Sequence, residues 1–295
     1  MSEQRKGLLA AAFAFIIWGL FPLYWHLLKS VPADQITAHR VVWSALLLTV
    51  LLCGRQGLGW LRTIAATPRA LGLLAVSSVL IGANWTLYIW AVNAGHVVET
   101  SLGYFINPLL SVLLGVLVLG ERLRRLQWLA VAIAALGVAW LTWQAGRLPW
   151  IALGLSVSFG LYGLARKLFR VEPVAGIGME SLYLLLPALG WLLWAETGHG
   201  GSFFSGGVAP MVMVLLVLAG VVSALPLIAF TYGVQRIPLS TVGLMQYIGP
   251  TLQLLTGVLV FGEPFGQAQL IGFACIWVAL AIFAVDGWRA SRPRR

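Results

Sequence analysis

The sequence predicts an all-α integral membrane protein: ten transmembrane helices arranged as two inverted five-helix repeats, with both termini in the cytoplasm. Three observations predict it. The 295 residues are 60% hydrophobic and 9% charged, with mean hydropathy +0.92. Soluble domains carry about a quarter charged residues, so the solvent for most of this chain is lipid. Apolar runs of spanning length follow one another with short gaps, and one block of the first half returns in the second.

A spanning helix needs about 20 largely apolar residues. The first run, 7–27, follows the basic start MSEQRK and is too long for a signal-peptide core, so it is expected to stay as a helix. Runs 35–54, 70–92, 98–119 and 126–145 complete the first half; 149–169, 176–195, 209–234, 238–261 and 268–286 make the second. No soluble domain or low-complexity segment is left between them. The short gaps make consecutive helices antiparallel. With the N-terminus inside, only Lys29, Arg40 and Arg147 of the 19 Lys and Arg fall outside, as the positive-inside rule requires. The same bias accounts for the net charge of +10. Aromatic and basic residues do not interleave, which argues against nucleic acid. The partners expected are the lipid bilayer and a small-molecule substrate. Cys53 and Cys275 lie in separate apolar runs without CxxC or Cys/His neighbours, so neither a metal site nor a disulfide framework is expected. No cofactor is expected either.

The repeated block is NPLLSVLLGVLVLGE at 107–121 and GPTLQLLTGVLVFGE at 249–263. At one offset Pro108 matches Pro250, Gly115 matches Gly257, Gly120 matches Gly262 and Glu121 matches Glu263. Leu and Val agree cheaply in membrane sequence; a proline, two glycines and a glutamate do not. The halves are 1–145 and 146–295, with five spans each. An odd number inserts the second half upside down. Inverted repeats mark secondary transporters that work by alternating access, with sites near the midplane between repeats.

The chain resembles the drug/metabolite transporter superfamily, specifically its EamA-type members with two five-helix repeats. The residues that carry this are FIIWGLFP in the first span, the paired P…GVLVxGE blocks, and RLQWLAVAIAALGVAWL after the first block. ITAHRVVWSALLL and NWTLYIWAVNAGHVVETSLGYFINPLLSVLLGV are similar to the RarD branch, whose members are commonly labelled chloramphenicol-sensitivity proteins. The resemblance covers nearly the whole chain. It implies a permease of the bacterial inner membrane, with export the expected direction.

The stretch from Asn84 to Pro108 concentrates polar residues in an otherwise apolar chain. It is expected to form the outer halves of spans three and four around a tight AGHV turn. Polar groups in hydrocarbon must face another helix or a wet cavity. Asn84 and Tyr88 share one face of span three; Thr100, Tyr104, Asn107 and Ser111 share one face of span four. These faces are expected to line a substrate cavity, with helix–helix hydrogen bonding the alternative. Pro108 and its counterpart Pro250 each remove a helix hydrogen bond, to the carbonyls of Tyr104 and Gln246, and are expected to kink their helices. Gln246, Tyr247 and Gln253 extend the lining in the second half. Arg40 and Glu99 lie within about two turns of the outer surface. They are expected to pair or to meet at the cavity mouth as a gate, unless they snorkel to the headgroups. Arg40 sits where the resemblance places an arginine in span two. Glu121 and Glu263 each follow a glycine and are expected to start the next helix. The basic gaps ERLRR and RKLFR are expected to be solvated.

No deep carboxylate is obvious, so coupling to an ion gradient stays open. No GxxxxGK[ST], GxSxG or HExxH is present, and catalytic residues are not expected. The competing readings are a lipid-modifying membrane enzyme, which predicts a cluster of carboxylates or histidines on one leaflet that the sequence does not show, and a structural or sensory membrane protein, which does not need a polar, proline-bearing helix in each inverted half. Small-residue spacing such as Gly154/Ser158 packs helices within or between chains, so a homodimer is left open.

Overall fold

A computed structural model describes residues 2–93, 97–146, 150–169, 171–201, 203–204, 208–262 and 265–291; the side chains of 89, 92, 93, 97–102, 145, 288, 290 and 291 lie outside the description. Every regular element among the described residues is a helix, without a strand: α1 (Glu3–His26), α2 (Ala33–Gln56), α3 (Gly59–Ala65), α4 (Pro68–Asn93), α5 (Val97–Leu117), α6 (Arg125–Ala145), α7 (Trp150–Leu168), α8 (Pro173–Glu196), α9 (Pro210–Val234), α10 (Leu239–Gln246), α11 (Ile248–Leu259) and α12 (Gln267–Ser291). Eight of these are long and apolar enough to cross a membrane, and Gly103–Leu117 is a shorter apolar helix. Many large apolar side chains face outward, among them Val50, Val79, Leu117 and Leu186. That suits a bundle whose surroundings are hydrocarbon.

Two elements depart from the expected runs. A short helix, α3, fills the gap after α2 and buries Trp60 against Leu52, Ile64 and Leu74. The run 238–261 is two helices, α10 and α11, meeting at Tyr247. Pro250 has no N–H to offer the Gln246 carbonyl, and the Tyr247 N–H turns back to the Leu244 carbonyl at 3.4 Å. Its counterpart Pro108 lies inside α5, which continues unbroken.

The packing almost repeats itself when the halves are exchanged. α2 packs on α8, α5 on α10, and α6 on α12. α1 packs on α9 and α11, as α7 packs on α4 and α5. α2 lies along α9, as α8 lies along α4. Lipid tails are as apolar as leucine, so such helices associate through close contact and hydrogen bonds. The α2–α9 crossing shows both. A Cβ on Gly220 would stand 2.6 Å from the Trp43 backbone, and Ser44 Oγ donates to the Gly220 carbonyl at 2.9 Å.

One end of the bundle carries most of the basic residues and is tied shut. Arg236 meets Glu3 at 2.9 Å, and the Lys167 ammonium donates to the Ile237 carbonyl. Gly120 turns the chain at φ +66°, where only glycine is unstrained. This aims Glu121 across the halves rather than at the next helix. Its carboxylate accepts from Leu239 N at 2.6 Å and from Ser240 N and Oγ at 2.8 and 2.6 Å. The expectation that Glu121 starts its own next helix is corrected: it caps the positive N-terminus of α10, while α6 begins only at Arg125. Glu263 lies outside the described residues.

Candidate functional site

Between the middle of the bundle and the end opposite the basic one lies a cavity of about 220 Å³. α1 supplies a wall of Phe15, Trp18, Pro22 and Trp25, aromatic but for the proline, with Phe21 beside it. Their spacing of three and four residues puts them on one helix face. α4, α5 and α7 close the first side; α2, α9, α10 and α11 close the other. Both halves therefore contribute lining.

Asn84, Tyr88, Tyr104, Asn107, Gln246 and Gln253 all line this cavity, as do Arg40 and Pro250. Their partners differ. Asn84 Nδ2 donates to the Leu155 carbonyl at 2.8 Å and to Ser158 Oγ at 2.9 Å. Both amide hydrogens thus hold α4 to α7, and only its carbonyl is left to accept. The Tyr88 and Tyr104 rings meet edge to face at 6.1 Å. Asn107 Oδ1 is buried without a hydrogen-bond partner. Gln246 Oε1 accepts from Ser111 Oγ at 3.3 Å, and Gln253 Nε2 donates to the Trp18 carbonyl at 3.2 Å.

Tyr247 stands elsewhere, contrary to expectation. It is fully buried on the α5 and α12 side and donates to the Phe105 carbonyl at 3.1 Å. Gln246, Pro250 and Gln253 recur at helical spacing on one face; Tyr247 is about 100° round from Gln246. Pro108 is buried and off the lining. The side chains of Glu99 and Thr100, and the turn at 94–96, lie outside the described residues, so the proposed Arg40–Glu99 pair does too.

Arg40 is half-buried in the lining. Its Nε donates to Ser223 Oγ at 2.7 Å. Its Cζ stands 4.9 Å from the Trp25 ring centre and 4.8 Å from that of Trp85, close enough for cation–π attraction. The Tyr88 and Tyr104 hydroxyls lie within electrostatic range of it.

Towards the basic end the cavity stops on packed aromatics. Phe230 meets Phe15 at 6.0 Å, Trp18 at 5.5 Å and Phe159 at 5.3 Å. Ile81, Trp85 and Leu227 separate the cavity from a void of about 20 Å³, the size of a single water. Glu180 lines that void. Its carboxylate takes Arg166 Nη1 at 3.3 Å and the Tyr162 hydroxyl at 3.2 Å, and accepts from Ser77 Oγ. Glu180 and Arg166 are 3% and 2% exposed. Sequence reasoning missed this cluster. RKLFR looks like a solvated gap, yet Arg166 is buried and paired; no local pattern announces a partner on the next helix. The α1 wall, Ser223 and Leu227 were also missed, although the aromatic stripe of α1 is visible as a periodicity.

The sequence model of the EamA-like transporter family matches residues 5–143 and again 148–285. The chain belongs to the EamA-like transporter family. Within it the chain falls in the RarD branch. Protein RarD of Escherichia coli K12 is 48% identical over 291 residues, covering 98% of this chain and 97% of that one. An uncharacterized transporter of Bacillus subtilis is 46% identical over 298 residues, covering 100% and 98%. The chloramphenicol-sensitive protein RarD of Pseudomonas aeruginosa is 33% identical over 299 residues, again covering 100% and 98%. A crystal structure of a protein 20% identical superposes with a TM-score of 0.70, over 95% of this chain and 97% of its own; it shares the fold. As an EamA-like protein with this set of apolar helices, the chain is a multi-pass membrane transporter.

Proposed function

We propose that the chain is a secondary transporter of the bacterial inner membrane that exports small metabolites or drugs by alternating access. One observation carries this reading: a cavity lined from both halves reaches the middle of the bundle from one end and is sealed towards the other. Ten spans follow if α10 and α11 together form one broken span and α5 another. The halves 1–145 and 146–295 then run in opposite senses, in keeping with the exchangeable helix pairs and with two successive matches to one family. The sealed end and both termini then lie in the cytoplasm, a reading that the bias of the basic residues supports. The cavity opens outward in this arrangement, and Arg40 and Glu99 meet at its mouth as an outer gate rather than as a fixed ion pair. Asn84, Tyr88, Tyr104, Asn107, Gln246 and Gln253 contact the solute. The cavity is below the roughly 300 Å³ at which drug-sized pockets begin, which favours metabolites over large drugs.

Expression of wild type, Arg40→Ala and an empty vector in one bacterial host, at matched abundance, tests this. A compound released to the medium only by wild type is the expected result. A medium with wild type that matches the empty vector across the small-molecule profile counts against export.

A further inference from the structure

A cation in a membrane cavity is costly unless something answers its charge. Arg40 is such a cation. Among the described side chains, which do not include that of Glu99, no carboxylate lies within ion-pair distance of it, and the described lining contains no Asp or Glu. Its Nε is taken by Ser223, and two indole rings lie against the guanidinium. The terminal nitrogens Nη1 and Nη2 make no hydrogen bond to a described residue. That edge is the fork that a carboxylate fits with two parallel bonds. Part of the remaining wall is aromatic: Phe15, Trp18, Phe21 and Phe159.

We propose that the cavity takes a small monocarboxylate with a planar apolar body, its acid group held by the free edge of Arg40 and its body lying on the α1 aromatics. The proposal rests on the permease reading only in treating this solute as cargo. One cation answers one negative charge, so a dianionic phosphate ester would remain half-neutralised. A cationic solute would meet Arg40 without any described acid to hold it. A neutral one would strip water from the guanidinium and return no counter-charge.

Three probes share one ring and chain and differ only in the head group: phenylpropionate, phenylpropionamide and phenylpropylamine. Their binding to the purified full chain is measured by calorimetry, and their flux in proteoliposomes is measured against protein-free liposomes. Wild type is expected to bind the acid about tenfold or more tighter than the amide, as hydrogen bonds to a charged group imply, and the amine least. Arg40→Gln is expected to bring the acid down to the affinity of the amide and leave the amide unchanged, with Arg40→Lys in between. Acid and amide binding equally to wild type, the amine binding tightest, or no binding of the acid each overturn the proposal, even if Arg40→Gln fails to fold. The permease reading fails separately: the acid then binds, with the Arg40 dependence, but none of the three crosses the proteoliposome membrane faster than it leaks.

Discussion

Glu180 and Arg166 bear the largest electrostatic stakes at single residues, because both are taken out of solvent near the cavity floor. Arg166 Nε and Nη2 find no hydrogen-bond partner, so the carboxylate is the main compensation for that charge. Removing one partner of such a pair leaves a buried charge uncompensated, at a cost of about 3–5 kcal/mol, whereas replacing both with apolar residues is often tolerated. Glu180→Ala should therefore lower the melting temperature of the purified protein sharply, and Glu180→Leu combined with Arg166→Met should recover most of the loss. A single variant that melts like wild type, or a double variant worse than the single, would show that the pair is not what holds α7 to α8 there. This cluster was illegible in the sequence for a definite reason: Arg166 ends one span and Glu180 sits within the next, and only the packing of α4, α7 and α8 joins them. Asn84, Tyr88, Tyr104 and Asn107 were legible because each interrupts an apolar run, and the cost of a polar group in hydrocarbon is local information. Tyr247 was misplaced because adjacency along the chain was given more weight than the helical angle.

At the scale of elements, the two prolines of the repeated block behave differently. Pro250 coincides with the α10–α11 break beside the cavity, while Pro108 lies within an uninterrupted α5. A loose joint in a lining helix is a place where the two sides of a transporter can move independently. Pro250→Ala restores an N–H that can reach the Gln246 carbonyl. It should join α10 to α11, leave the melting temperature equal or higher, and slow transport of whatever compound the wild type exports. Pro108→Ala should slow it less. Unchanged transport in Pro250→Ala, in a protein shown to be folded, would remove the joint from the account. The helices themselves were readable from run length alone, including the expected start of nearly every one. What run length could not give was α3, too short to register as a span, or the split at Tyr247, since a proline signals a weakened hydrogen bond but not whether the neighbours will hold the helix together.

At the scale of the whole molecule, the repeat seen in the sequence corresponds to a nearly symmetric set of helix pairs whose exception is the cavity. The half away from the basic end holds open space between aromatic and polar walls; the basic half is filled by Phe230 and its neighbours and closed by Glu3–Arg236, Lys167–Ile237 and Glu121 on α10. On the proposed orientation and mechanism, this is the outward-open state of a path whose other state would exchange the roles of the two ends. Charge bias set the expected orientation, but no periodicity in the sequence tells which end is open. The deciding measurement is thiol labelling at the cavity wall. With Cys53 and Cys275 replaced by serine, Tyr104→Cys, at an exposed position of the cavity lining, is presented with a membrane-impermeant maleimide in spheroplasts and in inverted vesicles. Labelling in spheroplasts with protection in inverted vesicles is the result expected of a cavity that opens away from the basic end. Labelling in inverted vesicles alone would contradict it, placing the opening on the cytoplasmic side and reversing both the orientation and the sense of the gate.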